Sequence, residues 1–224
     1  MKYISVSVHK KELLDVAVQC YEKGFVTATD GNMSVRISES EILTTATKTV
    51  KGRITVDDLV IVNYDGKKIR GQKYPSSELD MHLTIYRNRP DVNAVVHCHP
   101  TYATAFALAR KPLDGCYIPE VITVLGSVPV TEYATPGTPH LADSLIPFLK
   151  NSSAVLLANH GAVTFGDSIY DAFYKMEKLE HYAHITHLAL QLGGPVPLTT
   201  TQVLVLKNTI EKKGDVFLGT CLSK

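Results

Sequence analysis

Asn93-Ala94-Val95-Val96-His97-Cys98-His99 is the stretch on which the fold turns. A short apolar run that stops at Pro100, ahead of a helical segment, reads as a buried strand. Side chains alternate faces along a strand, so His97 and His99 share one face and Cys98 takes the other. Their α-carbons would lie ~6–7 Å apart, close enough for two ring nitrogens to meet one metal ion. The pair taken alone also describes two ordinary polar histidines at a strand end. Cys98, on the opposite face, reads as a core residue rather than a ligand.

A second strand end adds to this. Ala154 to Ala158 is apolar and runs into Asn159-His160-Gly161, with Gly161 expected to permit a turn and Ala162 to Phe165 expected as the partner strand. Three histidines from two strand ends supply three nitrogens and leave a fourth position open, as in a catalytic site rather than a closed structural one. His181, His184 and His187 lie three apart on a long helix. They read as surface or inter-subunit residues, not ligands.

Working outward, Leu13, Val16, Ala17, Cys20 and Tyr21 fall at helical spacing within residues 9–23, and Gly24 supplies a stop. Strands are expected at 32–37, 42–45 and 60–63, the last running into a hairpin signal at Tyr64-Asp65-Gly66. Pro75-Ser76-Ser77-Glu78 is expected to open a helix reaching Asn88, with a serine cap ahead of acidic residues. Further helices are expected at 100–110, 141–149 and 168–192, with a strand at 128–132. Strands and helices interleave while short hairpins recur, which predicts an α/β sandwich with a mixed sheet. No repeat or linker divides the 224 residues, so one domain over 1–224 is expected.

Composition narrows the function. Hydrophobic residues are 45% and charged residues 20%, an ordinary globular balance, and the formal net charge is +1. A near-neutral chain without a basic run gives no electrostatic case for nucleic acid or an anionic membrane as main partner. No apolar stretch approaches the ~18 residues of a membrane span. The first residues show no secretory pattern, and Cys20, Cys98, Cys116 and Cys221 form no CxxC pair. A cytoplasmic protein with reduced thiols is the expectation.

Small donors form another group. Gly31-Asn32 sits in a turn before a strand, Thr45, Thr47 and Lys48 lie in a loop, and Ser76 and Ser77 stand at a helix start. Hydroxyls, a glycine turn and a helix N-terminus are what a phosphate needs, although serine and threonine at helix starts are usually only caps. Glu78, in the first helical turn, reads either as an acid favoured by the helix dipole or as a base beside a metal. Glu120, between apolar residues in Ile118-Pro119-Glu120, is either an exposed loop acid or a buried functional one.

Several motifs stand together in one order. Gly31-Asn32-Met33-Ser34-Val35-Arg36, Pro75-Ser76-Ser77-Glu78, Ala94 to His99 and Asn159-His160-Gly161 resemble signatures of the class II aldolase/adducin family, as does the loop from Pro129 to Thr138. The resemblance runs from about residue 9 to 197. It implies a three-layer α/β/α sandwich with a mixed, mostly antiparallel sheet, and a homotetramer with active sites between subunits. It implies zinc on His97, His99 and His160, and Glu78 as the catalytic proton carrier. It also implies a substrate phosphate held by Gly31, Asn32, Thr47, Ser76 and Ser77, with Lys48 in the place of a family glycine. Within the family the chain looks most like the aldolases of ketose 1-phosphates such as L-fuculose 1-phosphate. These release dihydroxyacetone phosphate and a short aldehyde through an enediolate, whose charge a divalent metal can stabilise. Glu120 and Tyr117 resemble a second acid/base and an aldehyde contact. Epimerase, dehydratase and decarboxylase branches, and a non-catalytic adducin-like domain, are the alternatives. The glutamate of the PSSE segment, where epimerases have aspartate, speaks against the first. The complete histidine set speaks against the last.

Overall fold

The computed structural model of the protein describes residues 5–211. Helix α1 (Val6–Glu22) buries Leu13, Val16, Ala17 and Cys20, the i, i+3, i+4, i+7 stripe of an amphipathic helix. Strands β1 (Asn32–Arg36), β2 (Glu41–Thr45), β3 (Leu59–Asn63) and β4 (Lys68–Arg70) follow, then α2 (Leu79–Asn88), β5 (Ala94–Cys98) and α3 (Thr101–Leu108). The rest of the described chain is α4 (Pro119–Val124), α5 (Pro139–Leu149), β6 (Ala154–Leu157), β7 (Gly161–Gly166), α6 (Ile169–Gln191) and α7 (Thr200–Glu211).

The strands form one sheet in the order β4-β3-β2-β1-β5-β7-β6. Every pairing between them is antiparallel. The sheet is thus more uniformly antiparallel than expected, and its parallel element is one isolated bridge, Val130 to Leu156. That bridge, with another from Leu113 to Val128, is all that forms where a strand was expected at 128–132. The segment runs beside β6 but touches the ladder at single residues.

Alternation along the strands creates two cores. Met33, Val35, Val96 and Cys98 point to the face covered by α1, α3, α4 and α6. Val60, Val62, Val95, Val155 and Val163 point to the face covered by α2 and α5. Helices on both faces of a sheet make the three-layer sandwich. Each fully buried aliphatic side chain contributes ~1.5–3 kcal/mol to that closure. Arg36 ties the layers together: Nε donates to Val92 O at 3.1 Å, Nη2 to Tyr86 O at 3.1 Å, and Nη1 to the Tyr64 hydroxyl. Cys20 and Cys98 are free and buried, whereas Cys116 is disulfide-bonded, against the expectation of reduced thiols. Cys221 lies outside the described residues. Among the described residues no helix is long and apolar enough to cross a membrane.

Candidate active site

Register brings the site together. Asn32 in β1 stands opposite His97 in β5, and His97 stands opposite Val163 in β7. Asn32 and His97 therefore rise from the same face of the sheet, toward α2. His99 follows β5 on that face, and Cys98 points to the other core as expected. His160 arrives from the turn between β6 and β7. That turn is made by Asn159, at φ +58, and not by Gly161 as the sequence suggested. Gly161 serves space instead: a Cβ there would meet His99 Cδ2 at 2.4 Å and the Cys98 carbonyl at 2.7 Å.

The three imidazoles pack edge to face, with ring centroids 4.7–4.9 Å apart. One nitrogen from each lies within 4.8 Å of the others. His97 Nδ1 donates to Ala162 O at 2.9 Å, which leaves the Nε2 lone pair facing the cluster. His99 Nε2 comes within 3.1 Å of it, and His160 Nδ1 is buried without a hydrogen-bond partner. Converging unprotonated ring nitrogens suit a divalent cation. Burial first, then the neighbouring His97, lowers His99 to about 3 and His160 to about 4. Both are thus neutral and ready to ligate at neutral pH. The donor set fits a metal with an open coordination position.

Glu78 stands against this cluster, with Oε2 3.4 Å from His97 Nε2 and Oε1 3.2 Å from His160 Nε2. Asn32 Nδ2 donates to Oε2 at 2.9 Å. Burial would raise the carboxyl, but His97, His160 and the Asn32 amide outweigh it and hold the group well below the usual carboxylate range. Glu78 is not in the first helical turn as expected. It is the N-cap residue of α2, and its own amide donates to Ser76 Oγ at 3.2 Å. Ser76 therefore shapes the turn ahead of the helix.

A cavity of about 260 Å³ opens in front of these groups, lined by Gly31, Asn32, Thr47, Lys48, Ser76, Ser77, Glu78, His99 and His160 among others. Every residue expected to hold the metal, move the proton or bind the phosphate borders this space, except fully buried His97 behind it. Gly31 is required twice over. Its φ is +69, and a Cβ would strike the His97 carbonyl at 2.7 Å. Lys48 adopts φ +57, the left-handed region that favours glycine, in keeping with the expectation that it stands in the place of a family glycine. Glu120 is exposed on α4, and Tyr117 packs near Tyr182 at a ring distance of 6.5 Å. Neither borders the cavity.

Two residues escaped the sequence reading. Lys51 is 1% exposed, and its Nζ donates to Thr29 O at 3.1 Å and Thr49 O at 3.0 Å. It thereby clamps the Gly31 loop to the Lys48 loop, and burial lowers its ammonium to about 8. Nothing in Lys51-Gly52-Arg53 signals an inward lysine. His82 is also 1% exposed, and burial lowers it to about 3. Its spacing of four from Glu78 was the available signal.

The sequence of residues 11–187 matches the family model described as Class II Aldolase and Adducin N-terminal domain. An L-fuculose phosphate aldolase of Methanococcus vannielii is 36% identical over 180 residues, covering 80% of this chain and 96% of the relative. A 3-oxo-tetronate 4-phosphate decarboxylase of Escherichia coli K12 is 34% identical over 181 residues, covering 79% and 84%. A solved structure of an L-fuculose 1-phosphate aldolase superposes with a TM-score of 0.85 at 33% identity, covering 94% of this chain and all of that one. The chain belongs to the class II aldolase and adducin family.

Proposed function

We propose that this protein is a zinc-dependent aldolase that reversibly cleaves a ketose 1-phosphate of the L-fuculose 1-phosphate kind into dihydroxyacetone phosphate and a short aldehyde such as L-lactaldehyde. The observation that carries the reading is the position of the Glu78 carboxylate. It lies between three converging imidazoles and the Asn32–Ser76 side of one cavity. His97, His99 and His160 would hold the metal, which when bound supplies Lewis-acid stabilisation of negative charge on substrate oxygens. The phosphate rests on Gly31, Asn32, Thr47, Ser76 and Ser77, with the Lys48 ammonium adding charge complementarity. Glu78 then carries the proton at the carbon beside the ketone, with fully buried His97 behind it. Lys51 keeps the two anion loops in register.

The assembly in this reading is a cytoplasmic homotetramer with active sites between subunits. Tyr117 and Glu120, which lie away from the cavity of their own chain, fit contacts to the aldehyde or a second acid/base role from a neighbouring copy. The similarity to decarboxylases of a 3-oxo acid phosphate supports a second reading, in which the same cavity holds that phosphate and loss of carbon dioxide replaces aldol cleavage.

The test is exchange of the carbon-bound proton of dihydroxyacetone phosphate with heavy water, without aldehyde. Metal-loaded wild type should catalyse it. Glu78→Gln should slow it ~10²–10⁴-fold while keeping its metal. Wild-type exchange by the variant would remove Glu78 from the role. Carbon dioxide release from 3-oxo-tetronate 4-phosphate with no exchange at all would favour the decarboxylase.

A further inference from the structure

Behind Glu78 a ladder of side chains alternates between a helix and a strand. Glu78, His82 and Tyr86 stand four residues apart at the start of α2 and along it. Asn32 and Ser34 stand two apart in β1, on the face toward α2. Four residues of helix rise ~6.0 Å and two residues of strand ~6.6 Å, so the two rows mesh tooth by tooth. The contacts run Glu78 to Asn32 at 2.9 Å, Asn32 to His82 at 2.6 Å, His82 to Ser34 at 2.7 Å and Ser34 to Tyr86 at 2.8 Å. Asn32, Ser34, His82 and Tyr86 are all buried.

The ladder has one direction. The Asn32 amide nitrogen donates to Glu78 Oε2, which turns the amide Oδ1 to His82. His82 Nε2 must therefore be the donor to that oxygen, which leaves Nδ1 as an acceptor. Ser34 fills it with its hydroxyl proton, and the Ser34 oxygen in turn accepts from the Tyr86 hydroxyl. Reversing the amide would set two acceptors against each other at Glu78, and His82 could follow it only by changing tautomer and reversing the Ser34 and Tyr86 hydroxyls with it.

We infer that His82 is a positioning residue: through Ser34 and Tyr86 it locks the Asn32 amide so that Oε2 of Glu78 is tethered and Oε1 alone receives the substrate proton. This rests on the reading of Glu78 as proton carrier. Oε1 is buried and makes no hydrogen bond, its polar neighbour being His160 Nε2 at 3.2 Å, whereas a proton on Oε2 would face the Asn32 N–H. In the transfer the substrate C–H bond breaks and its proton forms O–H on Oε1. The electron pair stays with the substrate as the enediolate.

The experiment compares two replacements in metal-loaded protein, with exchange of the dihydroxyacetone phosphate proton as readout. His82→Phe preserves ring shape and burial but removes the donor. His82→Gln is a poorer shape match but can donate to Asn32 and accept from Ser34. The relay predicts a kcat loss of ~10–100-fold for Phe and recovery to within several-fold of wild type for Gln. A packing role predicts the reverse order, and either that order or wild-type kcat in His82→Phe would overturn the inference. Should His82→Phe fail to fold, Ser34→Ala replaces it. That change leaves Nδ1 free to take the proton, and is expected to lower kcat ~3–10-fold with metal retained; no change would overturn the inference equally. Glu78→Gln run alongside separates the two levels. If it is inactive while His82→Phe is intact, only the relay falls. If it exchanges normally, the reading of Glu78 falls first.

Discussion

The protein carries two histidine triplets, and they meet different fates. His97, His99 and His160 come from strand ends and press their rings together at 4.7–4.9 Å. His181, His184 and His187 come from one helix, α6, and do not meet at one point, although His184 and His187 both touch the Tyr102 ring, at 3.9 Å and 5.7 Å. His181 is exposed, His184 stacks on Tyr102 at 3.9 Å, and His187 bonds Gln191 at 2.8 Å. The geometry of each element explains this. Two strand residues apart return to the same face, while three helix residues apart fall 60° short of a full turn. From His181 to His187 that drift reaches ~120°, so the rings fan out. Convergence on one ion needs either a strand repeat or two separate elements, and the first triplet has both.

The sharpest way to break the contrast is His97→Ala. It removes a nitrogen from the buried back of the cluster, and the neighbouring His99 and His160 cannot move into its place. Roughly one divalent ion per chain should fall to near none, and turnover should be lost with it. Elemental analysis of purified protein and the exchange assay check this. Metal and activity retained in the variant would end the three-histidine assignment.

A milder perturbation acts on the space around the rings. Gly161→Ala places a Cβ 2.4 Å from His99 Cδ2 and 2.7 Å from the Cys98 carbonyl. The carbonyl is fixed in the β5–β7 ladder, where Cys98 pairs with Ala162, so the His99 ring must yield. The expected result is a metal affinity ~10–100-fold weaker, together with ~1–3 kcal/mol of lost stability. A competition titration against a chelator and a thermal melt measure the two effects separately. Unchanged affinity would mean that His99 has room to relax.

The contrast also shows where sequence reading reaches and where it stops. The buried strand, the alternation that splits His97 and His99 from Cys98, and the α1 stripe are local periodicities, so they were legible. The convergence of His160 was legible as two strand ends of similar pattern. Positions that depend on one backbone angle were not: Asn159 took the left-handed turn expected of Gly161, because Gly161 was needed to clear His99. Glu78 was placed one step too far into its helix because the serines were read as caps, whereas Ser76 holds the Glu78 amide. The segment 128–132 has strand composition but only single-residue bridges, since pairing depends on what lies beside it. Lys51 and the Asn32–His82 contact join segments 22 and 50 residues apart, a distance at which no local pattern speaks.

The smallest expected effect comes from the helix triplet. His184→Ala removes a near-parallel stack on Tyr102, with an interplanar angle of 12°. Such aromatic pairs contribute ~0.5–1.5 kcal/mol beyond area burial. The start of α3 would not come loose with it, because Glu180 independently accepts from the Tyr102 and Ala103 amides at 2.8–3.0 Å. These bonds fill orphan N–H groups at the helix N-terminus and put a negative charge where the dipole favours one. The loss should therefore stay within about 1.5 kcal/mol in a denaturant titration, with metal stoichiometry and exchange rate at wild-type values. If metal fell instead, the helix histidines would belong to the site, and the contrast between the triplets would collapse. If stability fell further but only at low protein concentration, the stack would lie where copies of the chain meet.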